Sequence, residues 1–288
     1  MVLTAPDEAA VAQAVRDVRA LASLAAARAG GAAVRVTGLV LDQSTAAGVA
    51  TFCAALQRSV ASHGWHIRGL VCNAAVLAVA APPQGGVHPC LAVNHLGTWR
   101  LLRRLHAARL VHPGAGQCRI VVVSSFTHRC ERVGDLLAWL RAPHARDQPR
   151  STRAYALSKA GVSCVAARFA QLHCSAASDG AAGLSLWLAD PGLVDTRLTQ
   201  EWPALLRSTS RVLGIGLGLM RPPEEGAAAV IAALGGVDGD GEAGRRTHPP
   251  YVFGAHGVRL RPGAAGGGEP AVASLVEELT VRADAACE

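Results

Sequence analysis

Short apolar runs alternate along this chain with longer stretches whose apolar positions return at helical spacing. "MVLTA" (1–5) is the first such run, and "AVRVTGLVLD" (33–42), "IRGLVCNA" (67–74), "CRIVVVSS" (118–125), "GLSLWLADPG" (183–192) and "PPYVFG" (249–254) continue the series. Between them, segments 7–30, 46–64, about 90–110, 152–174 and about 223–234 read as helices. The first of these opens on acidic residues and stops at glycine, as helix ends favour. Strands alternating with helices of this length imply βαβ units and hence a parallel sheet covered on both faces, a doubly wound α/β architecture. Gly/Pro-rich stretches at 234–248 and 255–270 read as surface loops, and no repeat or linker divides the chain. One domain over residues 1–288 is expected.

In an open parallel sheet, ligands gather at the carboxyl ends of the strands. Here those ends carry Asp42, Asn73, Ser124 with Ser125, and Asp190. Composition narrows the partners that such a site would take. Half of the residues are hydrophobic and 17% are charged, which fits a packed globular chain. The net charge of +7 is carried by scattered arginines, and no Lys/Arg run exceeds two residues. That is a solvated surface and not a nucleic-acid groove. Eight cysteines lack any C-x-x-C spacing, and eleven histidines form no H-x-x-x-H pair on a helix. A reducing intracellular compartment, cytoplasmic by default, with no metal site is therefore expected. No apolar stretch is long enough to span a membrane, and no basic segment followed by an apolar one marks a secretory signal.

Rarity singles out one stretch. The chain has two asparagines, one lysine and two tyrosines, and they fall in "CNAAV", "VNHLG" and "YALSK" with only Tyr251 outside. Random placement would give Y-x-x-x-K about one time in a hundred, so the motif carries more weight here than in an average sequence. Residues i and i+4 share a helix face, which points Tyr155 and Lys159 the same way. A phenol titrates near 10, and a close ammonium favours its ionised form. The pair therefore reads as acid–base machinery, or alternatively as a packed tyrosine beside a solvated lysine.

The set "CNAAV", "VNHLG", "IVVVSS", "YALSK" and "ADPGLVDT", in this order over about 2–235, resembles the short-chain dehydrogenase/reductase family. It looks most like the branch of retinol dehydrogenases and the chromosome-X-type dehydrogenase/reductase, which also lengthens the segment between the serine and the tyrosine. The resemblance implies an NAD(P)-dependent oxidoreductase interconverting an alcohol and a carbonyl on a lipophilic substrate. Tyr155 would then be the general acid/base. Lys159 would lower the tyrosine pKa and hold the nicotinamide ribose, Ser125 would polarise the substrate oxygen, and Asn94 would hold a relay water. Cofactor contacts would come from Asp42, from Asn73, Ala74 and Ala75, and from Pro191, Gly192, Val194 and Thr196. Homo-oligomers through the helices bearing Asn94 and Tyr155 are implied as well.

The family's opening T-G-x-x-x-G-x-G loop, which lets backbone N–H groups approach the pyrophosphate, has no counterpart here. "VTGLVLD" continues without glycines, and "LGIGLGLM" (213–220) falls after the "PG" turn and reads as part of a substrate-covering segment. By position, "MVLTAPDEAAVAQA" matches the family's second strand and its helix, so the sequence reads as starting one βα unit late. The strand so displaced belongs at the sheet centre, and its absence predicts a gap in the ladder. The family's N-N-A-G reads Cys72-Asn73-Ala74-Ala75, and Pro6 stands where the branch often has an arginine for the NADP phosphate. Neither NAD nor NADP is favoured. A noncatalytic binding or dimerisation protein of the same fold, or a truncated gene product unable to hold the cofactor, is the alternative.

Overall fold

The computed structural model describes residues 1–29, 34–78, 86–112, 118–174, 183–194, 220–235, 251–253, 258–260 and 270–287. They fall into two compact units, Met1–Trp65 and His66–Glu288. The α/β class with parallel strands follows the sequence pattern, and the described strands form two separate ladders, one in each unit.

In the first unit, β1 (Val2–Ala5) pairs in parallel with β2 (Thr37–Val40), in register from Val2↔Thr37 to Ala5↔Val40. The crossover is α1 (Glu8–Ala29), which starts where Asp7 accepts a hydrogen bond from Ala10 N at 2.8 Å. The helix lies close on β2: a Cβ on Gly38 would meet Val11 Cγ1 at 2.3 Å, so only glycine fits there. The next helix, α2 (Ala46–His63), is capped at one end by Thr45 and at the other by Gly64 in the left-handed conformation.

The second unit holds a five-stranded sheet in the order β3 (Gly69–Cys72), β4 (Cys118–Val123), β5 (Leu184–Asp190), β6 (Tyr251–Phe253), β7 (Val258–Leu260). The first four strands run parallel, and β7 returns antiparallel to β6. Strand β4 is apolar at every position but Arg119 and is almost wholly buried, as a strand covered on both faces tends to be. One of those faces packs Val121, Trp187 and Ala189 against Ala229 and Ala233 of α6 (Pro223–Gly235). Long helix α5 (Ser151–His173) also packs against β4 and β5, and most of its positions from Ala154 to Phe169 are buried. A helix enclosed on nearly all sides explains why its apolar pattern has so weak a periodicity.

Three features depart from the sequence reading. The helix expected at about 90–110 is a π-helical turn, Cys90–Gly97, that passes into α3 (Thr98–Ala107). The stretch between Ser125 and Tyr155, read as irregular, contains a 3-10 turn (Phe126–Cys130) and α4 (Val133–Arg141). Beyond the Gly/Pro-rich region stands α7 (Pro270–Ala285), packed on α4 and α5. Its apolar stripe Ala273, Val276, Leu279 and Ala283 is buried. All eight cysteines are free thiols. Among the described residues, no helix is long and apolar enough to cross a membrane.

Burial of imidazoles gives this unit an acid sensitivity. His88, His95 and His128 are buried, and desolvation pushes each below its ordinary pKa, His95 to about 3. The unfolded chain then binds more protons than the folded one at every pH below about 6.5, so stability rises with pH through this window. His95 alone should cost about 2 kcal/mol between pH 6.5 and 4.5. Urea midpoints measured across that range are expected to fall with acid, and less steeply in His95→Gln.

Candidate active site

Because β3, β4 and β5 are adjacent and parallel, their carboxyl ends lie side by side: Cys72 pairs with Val122, and Val123 with Ala189. Residues Asn73, Ser124, Ser125 and Asp190 follow from those ends, and α5 packs across from them with Tyr155 and Lys159 in successive turns. The two serines point to different tasks. Ser124 Oγ is buried and shares a 2.8 Å hydrogen bond with Ser163 Oγ, which in turn donates to Lys159 O. It ties strand to helix. Ser125 Oγ accepts from Thr127 Oγ1 at 3.0 Å and is hydrogen-bonded to the Tyr155 side chain. His128 anchors this corner from behind, with its Nδ1 on the Ser125 carbonyl.

Lys159 is 3% exposed, and its Nζ lies 5.7 Å from the Tyr155 ring centroid. The same ammonium donates to Val123 O at 2.8 Å, leaving two further protons for other acceptors. Burial pushes Lys159 down to about 8, opposed chiefly by the charge of Asp190. Tyr155 moves the other way. Burial raises it to about 12, and the hydrogen bond from Ser125 offsets only part of that rise. The lowered phenol implied by the resemblance is thus not what these surroundings produce: desolvation of the hydroxyl outweighs the help of its neighbours.

Asn94 stands on the π-helical turn, 1% exposed. Its Oδ1 accepts from Val76 N at 2.7 Å, while Nδ2 donates to Val76 O at 2.9 Å and to Ser158 Oγ at 3.0 Å. Both amide protons are engaged, and one lone pair of Oδ1 remains for a relay water. The side chain clamps the segment after β3 to α5, a task that the sequence did not reveal. π-helical turns concentrate at functional sites.

Of the cofactor residues, Asn73 and Ala74 are exposed and Ala75 half-buried, directly after β3. Pro191 and Gly192 form the turn after β5; Gly192 has φ +76° and donates its N–H to Asp190 Oδ1 at 2.9 Å. That conformation explains the glycine of "PG". Val194 pairs with Arg221 and fills the space that a Cβ on Gly226 would need, at 2.6 Å. Thr196 and most of 203–220 lie outside the described residues. Asp42, in the first unit, accepts from Ser44 N, Ser44 Oγ and Thr45 Oγ1 at the start of α2, and these bonds lower its pKa.

A nicotinamide-ribose group fits the second unit: a buried ammonium, two of whose protons are taken up by no described residue, faces the Ser125–Tyr155 pair beside exposed Asn73 and the Gly192 turn.

No family model matches the chain. It is 32% identical over 209 residues to polyprenol dehydrogenase of Mus musculus, a match covering 72% of this chain and 58% of the relative. The chain thus spans a little over half of that protein's length. Among solved structures, the 3-alpha-hydroxysteroid dehydrogenase from Pseudomonas sp. B-0831, complexed with NADH, is similar with TM-score 0.54 and 27% identity, over 81% of this chain and 90% of that one. A short chain dehydrogenase from Burkholderia cenocepacia J2315 in complex with NADP shares the fold, with TM-score 0.53 and 18% identity over 88% of this chain and 85% of that one. Motif order, sheet topology and these likenesses agree, and the chain belongs to the short-chain dehydrogenase/reductase family.

Proposed function

We propose that this protein is an NAD(P)-dependent oxidoreductase that interconverts an alcohol and a carbonyl on a lipophilic substrate. The observation that carries the reading is the hydrogen-bonded Ser125–Tyr155 pair backed by the buried ammonium of Lys159. Relatives named for a polyprenol and a hydroxysteroid support an alcohol/carbonyl substrate of greasy character, as does the resemblance to the retinol dehydrogenase branch. NADH and NADP in the similar structures support either nucleotide.

When bound, NAD(P) supplies or accepts the hydride. In the reductive direction, Ser125 Oγ–H donates to the carbonyl oxygen and Tyr155 Oη delivers its proton to that oxygen, so the product leaves as an alcohol. The phenolate so formed lies beside the Lys159 ammonium and regains a proton from solvent through the Asn94 side of the site. A hydroxyl held protonated, with pKa about 12, is suited to the acid role at neutral pH. Lys159, with its two remaining protons, would hold the ribose hydroxyls. Asn73, Ala74 and Ala75, together with Pro191, Gly192, Val194 and Thr196, would line the nucleotide.

The second reading is a noncatalytic binding or dimerisation protein of this fold, favoured by Cys72 and Ala75 standing where the family's N-N-A-G has an amide and a glycine. The resemblance also implies subunit pairing through the helices bearing Asn94 and Tyr155; α7 of the same chain already packs on α5. Titration of the purified protein with NADH and NADPH separates the two readings. Saturable binding, with consumption of reduced nucleotide on adding a long-chain aldehyde or ketone, is the expected result. Failure of both nucleotides to bind would leave the noncatalytic reading.

A further inference from the structure

Asn94 owes its aim to its sequence neighbour. His95 is fully buried, and its Nε2 lies 2.8 Å from Thr280 Oγ1 on α7. The Thr280 hydroxyl donates its own proton to Val276 O at 2.6 Å, so it meets the imidazole as an acceptor and places the ring proton on Nε2. The other ring nitrogen rests against Gly161 of α5, too poorly aligned there for a full hydrogen bond. A Cβ at residue 161 would meet Nδ1 at 2.5 Å and Cε1 at 2.8 Å. The glycine that follows Lys159 by two residues is therefore fitted to this ring. Two elements hold the imidazole, a hydroxyl from α7 on one side and bare backbone of α5 on the other.

We infer that Thr280 and His95 are a positioning pair, by which the C-terminal helix fixes the π-helical turn and thereby the Asn94 amide that clamps the site. The pair deepens the oxidoreductase reading, which it rests on only for its effect on turnover. A π-helical turn has poorer backbone hydrogen bonding than an α-helix and needs support from outside itself. His95 supplies that support one residue from Asn94. From Asn94 the contacts continue to Ser158 Oγ, which donates to the carbonyl of Tyr155 at 2.7 Å. Thus α7 is linked to the proposed acid through the His95–Thr280 contact, the backbone from His95 to Asn94 and the hydrogen bonds from Asn94 by way of Ser158 to the Tyr155 carbonyl. Removing the Thr280 hydroxyl leaves the Nε2 proton buried without an acceptor, a loss the ring relieves by turning or shifting. The π turn moves with it.

The chain has two asparagines, Asn73 and Asn94, so protein labelled with ¹⁵N-asparagine gives two side-chain amide signals, assigned by Asn73→Asp. In Thr280→Val, the Asn94 signal is expected to shift or broaden while the Asn73 signal stays in place. Thr280→Ser, which keeps the acceptor, should restore it. Turnover of Thr280→Val should drop about tenfold to a hundredfold in kcat with the nucleotide KM unchanged, because small misplacements near reacting groups have effects of that size. An unmoved Asn94 signal in folded Thr280→Val overturns the inference. Should that variant not fold, Thr280→Cys keeps a weak acceptor in nearly the same volume and is read the same way. If wild-type protein shows no turnover, the oxidoreductase reading fails, and the amide signals still decide the positioning pair.

Discussion

Tyr155→Phe is expected to lower turnover by about 10²–10⁴-fold in both directions while leaving nucleotide affinity within a few-fold of wild type. The substitution removes one oxygen from a half-buried ring whose hydroxyl is partnered by Ser125 among the described residues. Fold stability should hardly change, since the desolvation that raises this hydroxyl to about 12 is relieved by its removal. The pH dependence of the unmodified protein sharpens the test. At pH 7 the phenol is protonated and ready to act as an acid, so carbonyl reduction should be nearly independent of pH around neutrality. Alcohol oxidation needs the phenolate, whose fraction at pH 7 is about 10⁻⁵ for such a pKa and grows tenfold per pH unit. Oxidation should therefore climb with pH, and Tyr155→Phe should abolish the climb. Initial rates in both directions between pH 6 and 10, for both proteins, check this. A variant that turns over like the wild type removes Tyr155 from the chemistry.

The alternation of apolar runs and helical stretches was enough to recover the parallel strands, because a strand such as "CRIVVV" buried on both faces is apolar at all positions but one, Arg119. Asn94, Tyr155 and Lys159 stand out as candidates because asparagine, tyrosine and lysine are so scarce here, whereas Ser125 is marked only by its strand end and by the resemblance. Their working geometry was not legible. That Lys159 bonds Val123 O, or that burial outweighs the Ser125 hydrogen bond at Tyr155, depends on three-dimensional packing and desolvation, which spacing does not encode. Helix α7 was missed because the Gly/Pro-rich approach to it drew attention from an ordinary signal: apolar Ala273, Val276, Leu279 and Ala283 at helical spacing behind Pro270. Thr280 carries no local mark at all. Its role arises from a partner 185 positions away.

The second large effect is expected at the other end of α7, where Asp284→Ala should destabilise the second unit by about 3–5 kcal/mol. Arg100, on α3, is 4% exposed and its guanidinium meets the Asp284 carboxylate, itself 14% exposed. A guanidinium stays charged at any ordinary pH, so it cannot escape burial by releasing its proton. Truncating the carboxylate leaves that charge in a low-dielectric surrounding with its strongest partner gone, which is why breaking a buried pair is far worse than lacking one. At roughly 2–4 °C per kcal/mol for a unit of this size, the melting temperature should fall by about 10 °C. Glu278→Ala serves as the contrast. Its pair with Arg282 is an i,i+4 surface contact with side chains 57% and 71% exposed, and solvent screening limits the effect to a few tenths of a kcal/mol. The double variant Arg100→Met/Asp284→Leu should recover most of the loss, because apolar side chains of similar volume remove both charges and keep the packing between α3 and α7. Thermal and urea unfolding of the four proteins decide the matter: equal small losses for Asp284→Ala and Glu278→Ala would show that water reaches Arg100, and that α7 is held by its apolar stripe alone.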